Sequence, residues 1–229
     1  MKPSARLLAV GLGSLALAVA CGEIAAPIRV DFYEWRLLVP AEPGPGTDTL
    51  SFHWERSSLP VRVWVENTAG LPDHMARAIT TWQSAFLYGE LSAEIVGDSA
   101  SADVIVRGIA APQASRTRLL SVAPQCSGAT DLDVSPDNAE LRLPIRVFVQ
   151  PHPNPDTPGL TECVALTSIH ELGHALGIFQ HSPNPTDIMF ADPTVALPSE
   201  LDLGTMEVAY HVPATLQAAV PPFLHAVHP

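Results

Sequence analysis

The stretch His170-Glu171-Leu172-Gly173-His174-Ala175-Leu176-Gly177-Ile178-Phe179-Gln180-His181 constrains this chain more than any other. Four residues along an α-helix turn through about 400°, so His170 and His174 project from one face, a turn apart, and offer two imidazole nitrogens to one ion. Ala165, Ile169, Leu172 and Leu176 make an apolar stripe on the other side, which requires this helix to lie against a core. Glu171 is rotated away from the ligand axis, so its carboxylate is expected to reach a water at the metal as a general base without becoming a ligand. Gly177 comes where a residue without Cβ ends a helix in a left-handed conformation and returns the chain toward the ion. His181 then arrives as the third candidate ligand, with a distant carboxylate, Asp187 or Glu200, as the alternative. Three neutral imidazoles leave one tetrahedral position open, the pattern of a catalytic zinc site rather than a closed structural one.

The start of the chain points to export. Lys2 and Arg6 precede the apolar run Leu7 to Ala20, too short for a spanning helix but suited to a signal peptide over residues 1–20. Leu17-Ala18-Val19-Ala20-Cys21 resembles a bacterial lipobox, with the leucine one place early, in which Cys21 would receive lipid; plain cleavage after Ala20 is the alternative. Lipidation of Cys21 leaves Cys126 and Cys163 as an even pair able to form a disulfide in an exported protein. The expected location is the bacterial cell envelope, at the outer or the inner membrane, with the membrane reached through this N-terminal anchor, and otherwise secretion. Formal charge is −12, and −14 once Lys2 and Arg6 leave, which excludes nucleic acid as a partner.

Residues 21–50, with Pro40, Pro43, Gly44, Pro45 and Gly46, read as a lipid-anchored tether. A single domain carrying the histidine motif is expected over 51–211 and a proline-rich surface tail over 212–229. Within the domain, Val61, Val63 and Val65 alternate as in a half-buried strand. Pro72 and Asp73 open a helix with Leu71, Met75, Ile79, Trp82 and Phe86 on one face. Strands follow at Ala93 to Val96, Val104 to Val106 and Ile145 to Gln150. Thr161 is a candidate cap for the histidine helix, and Ser199 with Asp202 forms a capping box for a last one. Histidines 53, 74, 152, 211, 225 and 228 lack ligand spacing and are expected at the surface or in loops.

The histidine stretch resembles the zinc-binding helix of the metzincin metallopeptidases, in particular their matrixin-like bacterial branch, over about Val61 to Tyr210. Families of this clan place the third histidine three residues after the glycine; here Gln180 stands there and His181 follows, the loop absorbing one extra residue. Asp187-Ile188-Met189-Phe190 resembles the Met-turn that floors the metal, with Met189 at its centre. The resemblance implies an α+β fold: a twisted mixed sheet, a backing helix, an active-site helix and a C-terminal helix. It further implies a monomeric Zn2+ endopeptidase acting on protein or peptide substrates, bound by strand addition to a sheet edge. Ile145 to Gln150 and Arg116 to Val122 are the candidate edges. Asp131, Asp133, Asp137 and Asn138 are a candidate Ca2+ loop, or a solvated acidic turn, since the loop motif is incomplete. Two other functions remain open: a zinc hydrolase of cell-wall amides, and a non-catalytic, metal-stabilised surface binding protein.

Overall fold

The computed structural model describes residues 31–40, 44–110 and 126–219 in full and residues 117–123 through their backbone. The expected leader, Cys21, residues 21–30 of the tether and residues 220–229 of the tail lie outside the described residues.

The first departure from expectation is at the N-terminus. Tyr33, Trp35 and Leu37 alternate with exposed neighbours and are buried, and β1 (Leu37–Pro40) pairs antiparallel with β2 (Thr47–Leu50). Phe52 and Trp54 are buried deeper still. The folded unit therefore begins at Asp31 rather than near residue 51, because five large apolar side chains within 22 residues drive this segment into the core. It is not a tether.

In β3 (Val61–Val65) the three valines face inward and Arg62 outward, as the alternation requires. The helix α1 (Leu71–Gln83) follows, then β4 (Ala93–Val96) and β5 (Val104–Arg107), which flank β3 in parallel. β6 (Thr117–Ala123), β7 (Cys126–Ser135) and β8 (Glu140–Pro151) form an antiparallel meander, and β8 lies parallel to β5. The order is β4-β3-β5-β8-β7-β6. Ile145 to Phe148 pairs with β5 and Arg146 to Gln150 with β7, so this segment is interior and not a substrate-binding edge; β6 is the terminal strand on that side among the described residues. The α2 helix (Leu160–Leu176) crosses beside β7 and β8, and α3 (Glu200–His211) precedes a short β9 (Gln217–Ala219) that pairs with the overhang Glu140–Arg142 of β8. A mixed α/β chain with one large mixed sheet and three helices results, compatible with the α+β class.

α2 differs from an ordinary amphipathic helix. Every residue from Thr167 to Leu176 is buried, so the polar face is enclosed as well as the apolar one. Trp82 of α1 donates its indole N–H to the Ile169 carbonyl (2.9 Å) and Trp54 donates to that of Ala175 (3.1 Å), packing the helix from two directions. Its N-cap is Gly159 in the left-handed region, φ 75°, and not Thr161. A disulfide joins Cys126, the first residue of β7, to Cys163 in the first turn of α2, with Cα atoms 6.0 Å apart. The predicted capping box of Ser199 and Asp202 starts α3. Residues 212–219 are integrated rather than a loose tail: Thr215 and Leu216 donate backbone N–H groups to Ser51 (3.0 and 2.9 Å), and Leu216 is buried.

Candidate metal centre

His170 and His174 lie on the last two turns of α2 and are fully buried. His170 Nδ1 is 2.7 Å from the Ile188 carbonyl oxygen and His174 Nδ1 is 2.5 Å from that of Ile178. A carbonyl only accepts, so both Nδ1 atoms carry protons and the neutral rings present bare Nε2 lone pairs. Those two Nε2 atoms are 3.1 Å apart, and the Nε2 of half-buried His181 is 3.3 Å from that of His174. Lone pairs at this separation repel unless a positive centre lies among them. Burial disfavours a proton: it pushes His170 down to about 3 and holds His174 and His181 below the usual imidazole range. Two nitrogens each bound at about 2.0–2.1 Å in a tetrahedral site lie about 3.3–3.4 Å apart, so the spacing suits a divalent ion. Among the described residues these three histidines are the one group of three or more such donors that converge.

The chain is made to return by two features of Gly177. Its φ of +123° disfavours any side chain, and a Cβ there would collide with the Phe52 carbonyl oxygen. From His181 a closed loop leads to Met189: Ser182 donates its N–H to the Met189 carbonyl (2.8 Å) and its hydroxyl to Asp187 (2.5 Å), while the Asn184 amide donates to the other Asp187 oxygen (3.2 Å). Asp187 is thereby a loop organiser, and exposed Glu200 opens α3; neither belongs to the donor group, which His181 completes. Buried Met189 lies under α2, where a Cβ on Gly173 would fall 2.5 Å from its sulfur and 2.9 Å from Trp82. Asp202 fixes the loop from below. One oxygen accepts the Ile188 N–H (2.9 Å) and the other the Tyr33 hydroxyl (3.0 Å), so the residue whose carbonyl orients His170 is itself anchored to α3 and the N-terminal segment.

Glu171 is fully buried on the side of α2 that faces β7. The Thr130 hydroxyl donates to its Oε2 (2.8 Å), and a Cβ on Gly128 would collide with its Oε1. The sequence reading missed Thr130, Gly128 and the role of Gly173, and it saw Asp202 only as a cap. A glycine inside a strand does signal close approach of another group, which is what Gly128 allows.

The acidic run is spread along β7 and its turn. Asp131 stands opposite Arg146, Asp133 lies 3.8 Å from Arg142, and Asp137 sits in the tight turn before β8. His74 is not a surface residue: it is buried in α1, with its Nδ1 2.8 Å from the Arg77 guanidinium. His225 and His228 lie outside the described residues. No known protein family matches the chain, and no curated protein matches it.

Proposed function

We propose that this chain is a zinc-dependent endopeptidase of the metzincin type, exported and lipid-anchored through Cys21. The observation that carries the proposal is three imidazole Nε2 atoms within ligand spacing of one another, two of them held as lone-pair donors by backbone carbonyls. A buried carboxylate from the intervening residue, Glu171, accompanies them. When bound, zinc supplies the Lewis acidity that makes water a nucleophile near neutral pH and polarises a carbonyl.

The protein's own residues do the rest. His170, His174 and His181 hold the ion as neutral rings, their tautomers fixed at the first two by Ile188 and Ile178. Glu171 accepts the proton of the attacking water and returns it to the leaving amine. Met189 and Trp82 close the apolar floor beneath Gly173 and keep the helix backbone near. β6, the terminal strand beyond β7, is the edge to which an extended peptide adds.

The test is metal analysis of the purified mature chain together with cleavage assays on unfolded proteins and, in parallel, cell-wall fragments. We expect one equivalent of zinc and cleavage of the unfolded proteins. Glu171→Gln is expected to retain the metal and to lower hydrolysis by about 10²–10⁴-fold, the contribution of a positioned general base. Cleavage of wall fragments alone would reassign the substrate. Hydrolysis undiminished in Glu171→Gln would remove the mechanism.

A further inference from the structure

We propose that Thr130, which lies outside the metal-binding motif, is the positioning residue that aims the Glu171 carboxylate, an assignment that rests on the hydrolytic role proposed for Glu171.

Thr130 is fully buried at the middle of β7. Its hydroxyl oxygen lies 2.8 Å from Glu171 Oε2 and 3.1 Å from the backbone carbonyl oxygen of the same residue; its single proton goes to the nearer, charged carboxylate, and the hydroxyl sits between that carboxylate and the root of the side chain that carries it. Threonine suits this task because branching at Cβ restricts its χ1 and holds the hydroxyl in place. Residues two apart on a strand share a face, so Gly128 and Thr130 present a continuous seat to α2. One carboxylate oxygen takes the hydroxyl proton, and the other occupies the space that a side chain at 128 would fill. The seat is fixed to its occupant covalently, since Cys126, two residues before Gly128, is bonded to Cys163 on α2.

A base that must meet a water at a defined point gains from such a seat. A displacement of about 1 Å costs a reaction about 10²-fold, and glutamate has three rotatable bonds through which to move. Thr130 is buried and hydrogen-bonds Glu171 from β7, an element separate from the helix and the loop that carry the three histidines. Its removal is therefore expected to alter turnover and not metal loading.

The experiment compares wild type, Thr130→Val, Thr130→Ser and Glu171→Gln for zinc content, denaturation midpoint, kcat and KM on an unfolded protein substrate. Thr130→Val, which keeps the shape and loses the donor, is expected to bind zinc as wild type does. Its KM should stay within about twofold and its kcat should fall about 10–100-fold. Thr130→Ser should recover most of that loss. A second readout does not need turnover: in infrared difference spectra, the carboxylate band absent from Glu171→Gln should shift in Thr130→Val and return in Thr130→Ser. If Thr130→Val does not fold, Thr130→Ala is read in the same way. An unmoved band, an undiminished kcat, or equal losses in the valine and serine variants would overturn the proposal. Should the wild type cleave nothing, the hydrolytic reading fails, while the infrared band still decides the Thr130 contact.

Discussion

A methyl group at position 177 has no room. The backbone there has φ of +123°, and the space where Cβ would go is taken by the Phe52 carbonyl oxygen. Gly177→Ala must adopt an unfavourable conformation and displace backbone at once, so we expect a loss of about 2 kcal/mol or more. Urea denaturation of the metal-free protein checks this. Because Gly177 sets the path from α2 to His181, zinc affinity is expected to fall together with stability, measured by competition with a chromophoric chelator. A glycine that only lengthened a flexible loop would leave both unchanged on substitution. Gly173 acts differently. Its constraint is side-chain packing against Met189 and Trp82, which lets the floor of the site come within contact distance of the helix backbone.

Among the elements, the pairing of β7 with α2 matters most, and one covalent bond spans it. The Cys126–Cys163 disulfide closes a loop of sequence separation 37. In the chain-entropy account a loop of that size stabilises by about 4 kcal/mol. The Cys126→Ser/Cys163→Ser double variant is expected to lose stability on that scale, read as a lower urea midpoint, with reduced wild type behaving alike. Elements whose period and burial agree were readable in advance: β3 from its valines, α1 from Met75, Ile79 and Trp82, α3 from its capping box. The pair His170 and His174 is likewise legible, because helical spacing sets two donors a turn apart before any tertiary contact forms, whereas His181 follows Gly177 in a loop and converges with them only in the fold. The acidic run Asp131, Asp133, Asp137 and Asn138 suggests a turn in the sequence, and the strand β7 that carries its first two residues is hidden, since its inward face meets Glu171 and Thr167 of α2 and so carries glycine and threonine in place of the apolar alternation that marks a strand. The buried segment from Tyr33 to Leu37 is hidden by the prolines that follow it: Pro40, Pro43 and Pro45 signal a linker locally, while Tyr33 and Trp35 find their hydrogen-bond partners far along the chain, at Thr205 of α3 and at Phe179.

For the molecule as a whole, enclosing neutral imidazoles makes stability depend on pH. In the unfolded chain a histidine takes up a proton below about 6.5, whereas burial holds His170 unprotonated down to about 3 and keeps His174 and His181 depressed as well. Between those limits the unfolded state binds more protons, so the free energy of unfolding decreases as pH falls. The metal-free protein is expected to show its full stability above about pH 6.5 and to lose it progressively toward pH 3. Urea midpoints at pH 7.5, 6 and 5 test this, and a flat profile would contradict the buried neutral triad. Zinc release over the same range is expected, since protons and the ion compete for the same Nε2 atoms.

The packing of Tyr33 and Trp35 into the core has a consequence for where the chain can be cut. A truncation at residue 50, where the prolines invite a boundary, would remove the Trp35 carbonyl that accepts the Phe179 N–H (2.6 Å) and the Tyr33 hydroxyl that donates to Asp202 (3.0 Å), and with them two supports of the loops that carry His181 and Met189.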